Sequence, residues 1–173
     1  YTEDDMPGPL NVYGRSKLAG EEAVRAAGID HLILRTSWVY GRRGKNFLLT
    51  MQRLAAERDE LRVVCDQRGA PTWSRTIGDT TALLLAQAAA HGGGWWSAHG
   101  GTYHLSSLGH TSWCGFTEAI IEETGLDCKV VPISTADYPV AATRPLNSML
   151  DCSKLRRLCA LPDWRHALSL CLA

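Results

Sequence analysis

Residues 11–36 read NVYGRSKLAGEEAVRAAGIDHLILRT, and this stretch decides the fold class. The pattern predicts a helix from Asn11 to Ala27 that ends at Gly28, because glycine commonly follows the last helical turn. The near-continuous apolar run from His31 to Thr36 is typical of a parallel strand that is buried on both faces. A helix that leads directly into such a strand indicates an α/β fold.

The same alternation of helix and strand continues toward the C-terminus. Helices are predicted at 47–58, at 74–90, from Thr111 or Ser112 to Gly125, and in short pieces near 153–159 and 164–172, with strands at 61–65, 102–106 and 129–133. Residues 92–101 are rich in glycine and predict a flexible surface loop. Within it, Trp95 and Trp96 are expected to fold back over a neighbouring apolar surface.

Composition limits the classes of protein and partner. The chain has 173 residues, of which 45% are hydrophobic, and no net charge, which suffices for a sizeable core. Neutrality favours neither nucleic acid nor a membrane surface as a partner, and no apolar run approaches the roughly 18 residues of a membrane span. Six scattered cysteines without a Cys-x-x-Cys pair indicate reduced thiols in a cytoplasmic protein.

Tyr13 and Lys17 are the first candidates for chemistry. They lie four residues apart, so a helix places them on one face, one turn above the other. A nearby ammonium group favours the ionised form of a phenol. A phenol tuned in this way can exchange a proton with a carbonyl oxygen while hydride reaches the carbon. The same spacing also occurs in structural helices, where the tyrosine is half-buried beside a solvated lysine.

Several motifs in a fixed order resemble a known family. The stretch around Tyr13 and Lys17 is similar to the active-site helix of extended short-chain dehydrogenases/reductases. Together with the further motifs, it resembles the dTDP-4-dehydrorhamnose reductase family over essentially all 173 residues. The further motifs are LRTSWVYG at 34–41, GKNF at 44–47, LRVV at 61–64, DQRGAPTW at 66–73, YHLS at 103–106, ATRPLNS at 142–148 and LPDW at 161–164.

The resemblance implies an enzyme with a nicotinamide cofactor. It implies that Tyr13 is the catalytic proton donor to the C4 oxygen of a 4-keto sugar. It implies that Lys17 binds the nicotinamide ribose and tunes Tyr13, so that both residues contact NADPH or NADH. Trp38 matches the tryptophan that contacts the sugar, whose apolar face suits an aromatic plane; a place in the core is the alternative for Trp38.

Basic residues are expected to hold the diphosphate of a dTDP-sugar. Residues 35–75 contain nine Lys or Arg and four Asp or Glu, and arginine can bind phosphate oxygens bidentately. The candidates are Arg42, Arg43, Lys45, Arg68 and Arg75, each of which could equally be a solvated surface charge. The 66–73 loop and the segment around Arg144 are expected to edge the substrate pocket.

The glycine-rich cofactor loop of the family and its catalytic Ser or Thr are not in this sequence. We therefore expect the C-terminal part of a Rossmann-like parallel sheet plus a smaller α/β substrate domain, with the N-terminal cofactor-binding half absent. Residues 1–37 and 74–107 are expected to form the Rossmann-like remainder, and residues 38–73 and 108–173 the substrate domain. Such a piece alone is expected to be inactive and poorly soluble.

The sequence is also compatible with other functions. The chain could belong to another nucleotide-sugar epimerase or reductase of the same family, or to a non-catalytic, reductase-like regulatory subunit. The histidines at 99, 104 and 110 fit no strong zinc pattern, so no metal site is predicted, and a requirement for Mg²⁺ cannot be read from the residues. A homodimer is equally open.

Overall fold

The computed structural model describes residues 1–138 and 142–173. Its helices are α1 (Val12–Ala26), α2 (Phe47–Glu57), α3 (Ser74–His91), α4 (Gly93–His99), α5 (Trp113–Thr124) and α6 (Trp164–Leu172). Its strands are β1 (Leu32–Arg35), β2 (Val39–Tyr40), β3 (Glu60–Val64), β4 (Arg68–Gly69), β5 (Thr72–Trp73), β6 (Gly101–His104), β7 (Thr111–Ser112) and β8 (Lys129–Ile133). The bounds of α6 and β8 agree with those predicted from the sequence.

The strands pair mainly in parallel. β1 pairs with β6, β2 with β5 and β3 with β8 in parallel, whereas β4 and β7 are antiparallel. In the longest pair, Leu61 lies opposite Val130 and Val63 opposite Pro132. Parallel pairing requires crossover connections, which the helices between the strands provide. The predicted α/β class is therefore confirmed.

Local capping explains where the first helix begins. Asn11 has extended backbone, and its side-chain oxygen accepts a hydrogen bond of 2.8 Å from the Gly14 N–H. This bond satisfies one of the amide groups that the first helical turn leaves unpaired. Gly28 follows the last turn with a φ of 64°, a left-handed conformation that glycine adopts without strain. The prediction of a helix over 11–27 is confirmed.

Three apolar clusters form the core. One joins α3 and α4 to β6 and to residues near the C-terminus, including Leu84, Trp95, Tyr103 and Leu155. A second packs α2, α5 and α6 around Phe116, which is 1% exposed. A third lies between β3 and the helices α2 and α5. The second and third clusters support the side of the molecule that carries the cavity described below.

The prediction of a flexible loop at 92–101 is wrong. Residues Gly93–His99 form helix α4, and Trp95 is 6% exposed within the first core cluster. Glycine costs helix stability, but burial of a tryptophan contributes more than the glycines cost. The expectation that Trp95 and Trp96 fold back over an apolar surface is confirmed, since both pack against that cluster.

Candidate active site

Helix α1 carries the Tyr13–Lys17 pair on an exposed face. The Lys17 Nζ lies 5.1 Å from the centre of the Tyr13 ring, a separation within the range of a cation–π contact. The Tyr13 side chain is 71% exposed. No residue of α1 is buried, so its outer face, which carries both side chains, is open. The two groups therefore adopt the mutual arrangement that the spacing predicts.

An ion pair holds α1 against strand β1. The Glu21 carboxylate accepts hydrogen bonds from Arg35 Nε at 2.8 Å and from Arg35 Nη2 at 2.7 Å, and a third from Arg25. The bonds from Arg35 hold the pKa of Glu21 below its usual value, and the same bonds raise the pKa of Arg35. Because Glu21 lies one turn beyond Lys17, this pair fixes the rotation of α1 about its axis.

The start of α1 is tied to the segment that contains Arg144. The Asn11 side-chain amide donates a hydrogen bond of 3.1 Å to the carbonyl of Thr143. The same segment is joined to Arg68, whose N–H donates to the Leu146 carbonyl and whose carbonyl accepts from the Ser148 N–H, both at 2.8 Å. The catalytic candidates and the predicted pocket edges are therefore parts of one connected region.

A cavity of about 630 Å³ opens between α2, strands β3 and β8, and this segment. Its lining residues include the apolar or aromatic Phe47, Met51 and Trp113 and the basic Arg58, Arg62 and Arg144. The volume lies in the range of small-molecule sites. An apolar wall with adjacent arginines suits a ligand that joins a planar ring to a phosphate. The remaining lining residues are Leu54, Glu60, Leu61, Val63, Val64, Gln67, Ile133, Asp137 and Tyr138.

Trp38 lies beside this cavity in a strained conformation. Its φ is 49°, and it is the one non-glycine residue with positive φ in the described part of the chain. A non-glycine residue in this region costs of the order of 1–3 kcal/mol and is found mostly at functional sites. The Trp38 indole stacks on Trp113, with ring centres 3.6 Å apart and planes 6° from parallel. Trp38 therefore meets the cavity wall through Trp113.

The predicted site residues fall into two groups. Tyr13, Lys17, Arg68 and Arg144 belong to the connected region, Trp38 meets the cavity wall through Trp113, and of these five residues Arg144 alone lines the cavity. Arg68 lies in β4 and holds the 146–148 segment through its backbone, and Arg75 is an exposed residue of α3 that pairs with Asp79 at 3.4 Å. The exposed residues Arg42, Arg43 and Lys45 lie in the loop before α2 and are not among the residues that line the cavity.

Sequence reasoning missed several lining residues. The sequence places Phe47 and Met51 in a predicted helix and Arg62 in a predicted strand, and gives none of the three a role in binding. The alternation within β3 buries Leu61 and Val63 and leaves Arg62 exposed on the other face, so the pattern contained that signal. Trp113 was assigned no role, because nothing in its local sequence indicates that it meets Trp38.

Two further kinds of feature are absent from the described residues. Within 1–138 and 142–173, no three His, Cys, Asp or Glu side chains come together as a metal ion would require. Over the same residues, none of the helices has both the length and the apolar character needed to cross a membrane.

The fold and the connected region define an α/β protein in which the helix with the Tyr–Lys pair is hydrogen-bonded to a segment that lines a nucleotide-sized cavity. Comparison with known families is more specific. The model of the RmlD substrate binding domain matches residues 1–173, and the chain belongs to this family. The predicted resemblance to the dTDP-4-dehydrorhamnose reductases is thereby confirmed.

Curated relatives with that name are longer than this chain. The dTDP-4-dehydrorhamnose reductase of Burkholderia thailandensis is 47% identical over 184 residues, which cover 99% of this chain and 61% of the relative. The enzyme of Escherichia coli strain K12 is 42% identical, with 95% of this chain and 56% of the relative covered. The chain therefore spans less than two thirds of the length of these relatives.

Solved structures with a similar fold include a reductase of that name, and they too are longer than this chain. The Bacillus anthracis dTDP-4-dehydrorhamnose reductase in complex with NADP has a TM-score of 0.89 and 36% identity, covering 99% of this chain and 58% of that one. A UDP-glucose 4-epimerase from Thermotoga maritima has a TM-score of 0.73 at 17% identity, with 99% of this chain and 55% of that one covered. The second similarity concerns the fold alone.

Proposed function

We propose that this chain is the substrate-binding part of a dTDP-4-dehydrorhamnose reductase, which reduces dTDP-4-dehydro-β-L-rhamnose to dTDP-L-rhamnose. The observation that carries the proposal is the connection between the Tyr13–Lys17 helix and the Arg144 segment, which lines a nucleotide-sized cavity. A reaction at the sugar of a nucleotide-sugar requires the catalytic groups and the nucleotide-binding cavity to lie close together. The names of the relatives support the choice of substrate.

In this proposal the cavity holds the dTDP part of the substrate. The thymine ring packs against the apolar wall that includes Phe47 and Met51. Arg144 and Arg62 line the cavity, and their guanidinium groups bind the phosphate oxygens in this proposal. Trp38 contacts the sugar, and Arg68 and Arg75 are retained as more distant candidates for binding the diphosphate.

Tyr13 acts as the proton donor. As the C4 carbonyl is reduced, the Tyr13 hydroxyl gives its proton to the C4 oxygen, which becomes the hydroxyl of the product. The Lys17 ammonium, on the same helical face, stabilises the phenolate that remains. Both side chains are exposed on α1, so a nicotinamide cofactor fits against this face, with Lys17 available to hydrogen-bond its ribose. Such a cofactor, NADPH or NADH, supplies the hydride.

Apolar side chains that are exposed near α1 support a complete enzyme in which a separate cofactor-binding half packs against this face. Leu10, Val12 and Ile29 are 58%, 72% and 65% exposed. We expect a cofactor-binding half to cover this face, with residues 1–37 and 74–107 belonging to the same Rossmann-like domain and 38–73 and 108–173 to the substrate domain. A cytoplasmic location and a homodimer stay predictions.

Calorimetric titration of the chain with dTDP and with UDP tests the proposed substrate class. We expect dTDP to bind more tightly than UDP. Arg144→Ala should weaken dTDP binding by about 10- to 100-fold, the value of a hydrogen bond to a charged group. Arg156→Ala is the matched control, since Arg156 is exposed and lies outside the cavity lining. Equal affinities in the two variants, or no binding of dTDP by the parent chain, would contradict the proposal.

A further inference from the structure

Contacts at Trp38 itself and at the residues before and after it hold its strained backbone in place. The Trp38 carbonyl accepts a hydrogen bond of 3.1 Å from the Thr72 N–H. The preceding residue, Ser37, donates from its hydroxyl to the Ala70 carbonyl at 3.4 Å, and the following Val39 pairs with Thr72 in the β2–β5 ladder. The 66–73 loop therefore fixes the backbone on which the Trp38 indole stands.

The partner of Trp38 in the stack is itself fixed. The Trp113 indole N–H donates a hydrogen bond of 3.1 Å to the Gln67 side-chain oxygen. Gln67 is 5% exposed and donates from its amide nitrogen to the Thr135 hydroxyl at 3.1 Å. The Phe47 ring also packs against the Trp113 indole, with ring centres 4.5 Å apart. Since Trp113 is held by bonds and packing, it can serve as a rigid support for Trp38.

Gly69 leaves the space that the Trp38 indole occupies. A Cβ at Gly69 would lie 2.4 Å, 2.6 Å and 2.9 Å from Cε2, Nε1 and Cζ2 of Trp38. Any side chain at residue 69 would therefore displace the indole, because real Cβ atoms do not approach ring atoms this closely. Gly69 is buried and is paired with Thr111 in the β4–β7 ladder, so its backbone has little freedom to retreat.

We propose that Trp113 and Gly69 are positioning residues for Trp38, and that Gln67 sets the orientation of Trp113. The three residues hold the Trp38 indole in the orientation in which it meets the sugar of the substrate. This inference rests on the proposed function, because that function supplies the sugar as the ligand of Trp38. It explains why the 66–73 loop has a glycine and a buried glutamine at these two positions.

The indole N–H signals in nitrogen-15 NMR spectra of the chain report the ring positions without any ligand. The six tryptophans give six indole signals, and Trp38→Phe and Trp113→Phe identify the two of interest. Gly69→Ala should shift the Trp38 signal. Gln67→Met should accelerate exchange of the Trp113 indole proton and shift the Trp38 signal as well. Gly78→Ala is the matched control, because a Cβ at that exposed position on α3 meets nothing within 4 Å.

Ligand binding separates positioning from general loss of structure. Gly69→Ala should lower the affinity for dTDP-L-rhamnose about three- to tenfold, the value of an aromatic contact, and leave the affinity for dTDP unchanged. Equal weakening of both ligands, or a Trp38 signal in Gly69→Ala and Gln67→Met that matches Gly78→Ala, would overturn the proposal. If Gly69→Ala fails to fold, the Trp38 indole signal of Gln67→Met decides alone, because Gln67 lines the proposed dTDP cavity and its substitution also affects dTDP binding.

Failure of the proposed function has a different signature. A parent chain that binds neither dTDP nor dTDP-L-rhamnose refutes that function, and with it the role of Trp38 toward a sugar. In that case the indole signals still decide whether Gly69 and Gln67 set the position of the ring. If the chain binds dTDP but neither Gly69→Ala nor Gln67→Met changes the indole signals, only the proposed positioning of Trp38 is refuted.

Discussion

Replacing Glu21 by glutamine should loosen helix α1. The substitution keeps the side-chain shape but removes the charge that binds Arg35 through two hydrogen bonds of 2.8 and 2.7 Å. The two side chains are only 16% and 20% exposed, so this pair is screened less than a surface pair. Hydrogen bonds to charged groups contribute about 1.5–3 kcal/mol, and exposed ion pairs about 0–1 kcal/mol. We therefore expect a loss of about 2 kcal/mol in the free energy of unfolding.

Thermal and urea unfolding followed by circular dichroism measure this loss. For a chain of this size, about 2 kcal/mol corresponds to a decrease of roughly 4–8 °C in Tm. Hydrogen exchange should show the loss of protection concentrated in α1, since no residue of that helix is buried. The matched control is Glu57→Gln on α2, whose ion pair with Arg53 is more than half exposed on both sides. The reasoning is refuted if Glu21→Gln and Glu57→Gln are equally stable.

The remaining predictions concern pH and the core. His104 is 2% exposed, and this burial lowers the pKa of its imidazole. The nearby Glu3 carboxylate raises the same pKa but offsets the effect of burial only in part. The unfolded chain keeps the ordinary histidine pKa near 6.5. The contribution of the neutral, buried His104 to the free energy of unfolding is therefore complete above that pH and is lost as the pH falls below it. His104→Gln should therefore flatten the decrease in Tm between about pH 7 and pH 5, and an unchanged slope would argue against this origin. Phe116→Ala should cost about 3–5 kcal/mol, because Phe116 is 1% exposed and fills the second core cluster. Leu170→Ala, at a position that is 51% exposed, is the control and should change stability by no more than about 0.5 kcal/mol in urea unfolding; equal losses would show that Phe116 does not support the core.

Elements with strong local signals could be predicted from the sequence. The strand at Lys129–Ile133 and the helix at Trp164–Leu172 have apolar patterns and flanking breakers that tertiary contacts do not override. The helix at Gly93–His99 could not be predicted, because its glycines favour a loop locally and only the burial of Trp95 against distant residues reverses that preference. Local propensity is a weak guide where a large aromatic side chain enters the core.

The candidate site shows the same division. Tyr13 and Lys17 are neighbours along one helix, so their spacing alone predicts their arrangement. The cavity requires β3 and β8 to pair, although Leu61 and its partner Val130 are far apart in the chain. The stack of Trp38 on Trp113 likewise joins separate segments. Contacts of this kind follow from the packing of the whole chain, which no local pattern encodes.

The central claim is that Tyr13 is the proton donor of a dTDP-4-dehydrorhamnose reductase. The most direct test is an NADPH-oxidation assay with dTDP-4-dehydro-L-rhamnose, using the complete reductase chain and its Tyr13→Phe variant. Tyr1→Phe, at a second exposed tyrosine, is the matched control. The account predicts that Tyr13→Phe lowers turnover by about two to four orders of magnitude while dTDP binding is retained. Turnover in Tyr13→Phe equal to that of Tyr1→Phe, or no oxidation of NADPH by the parent protein, would contradict it.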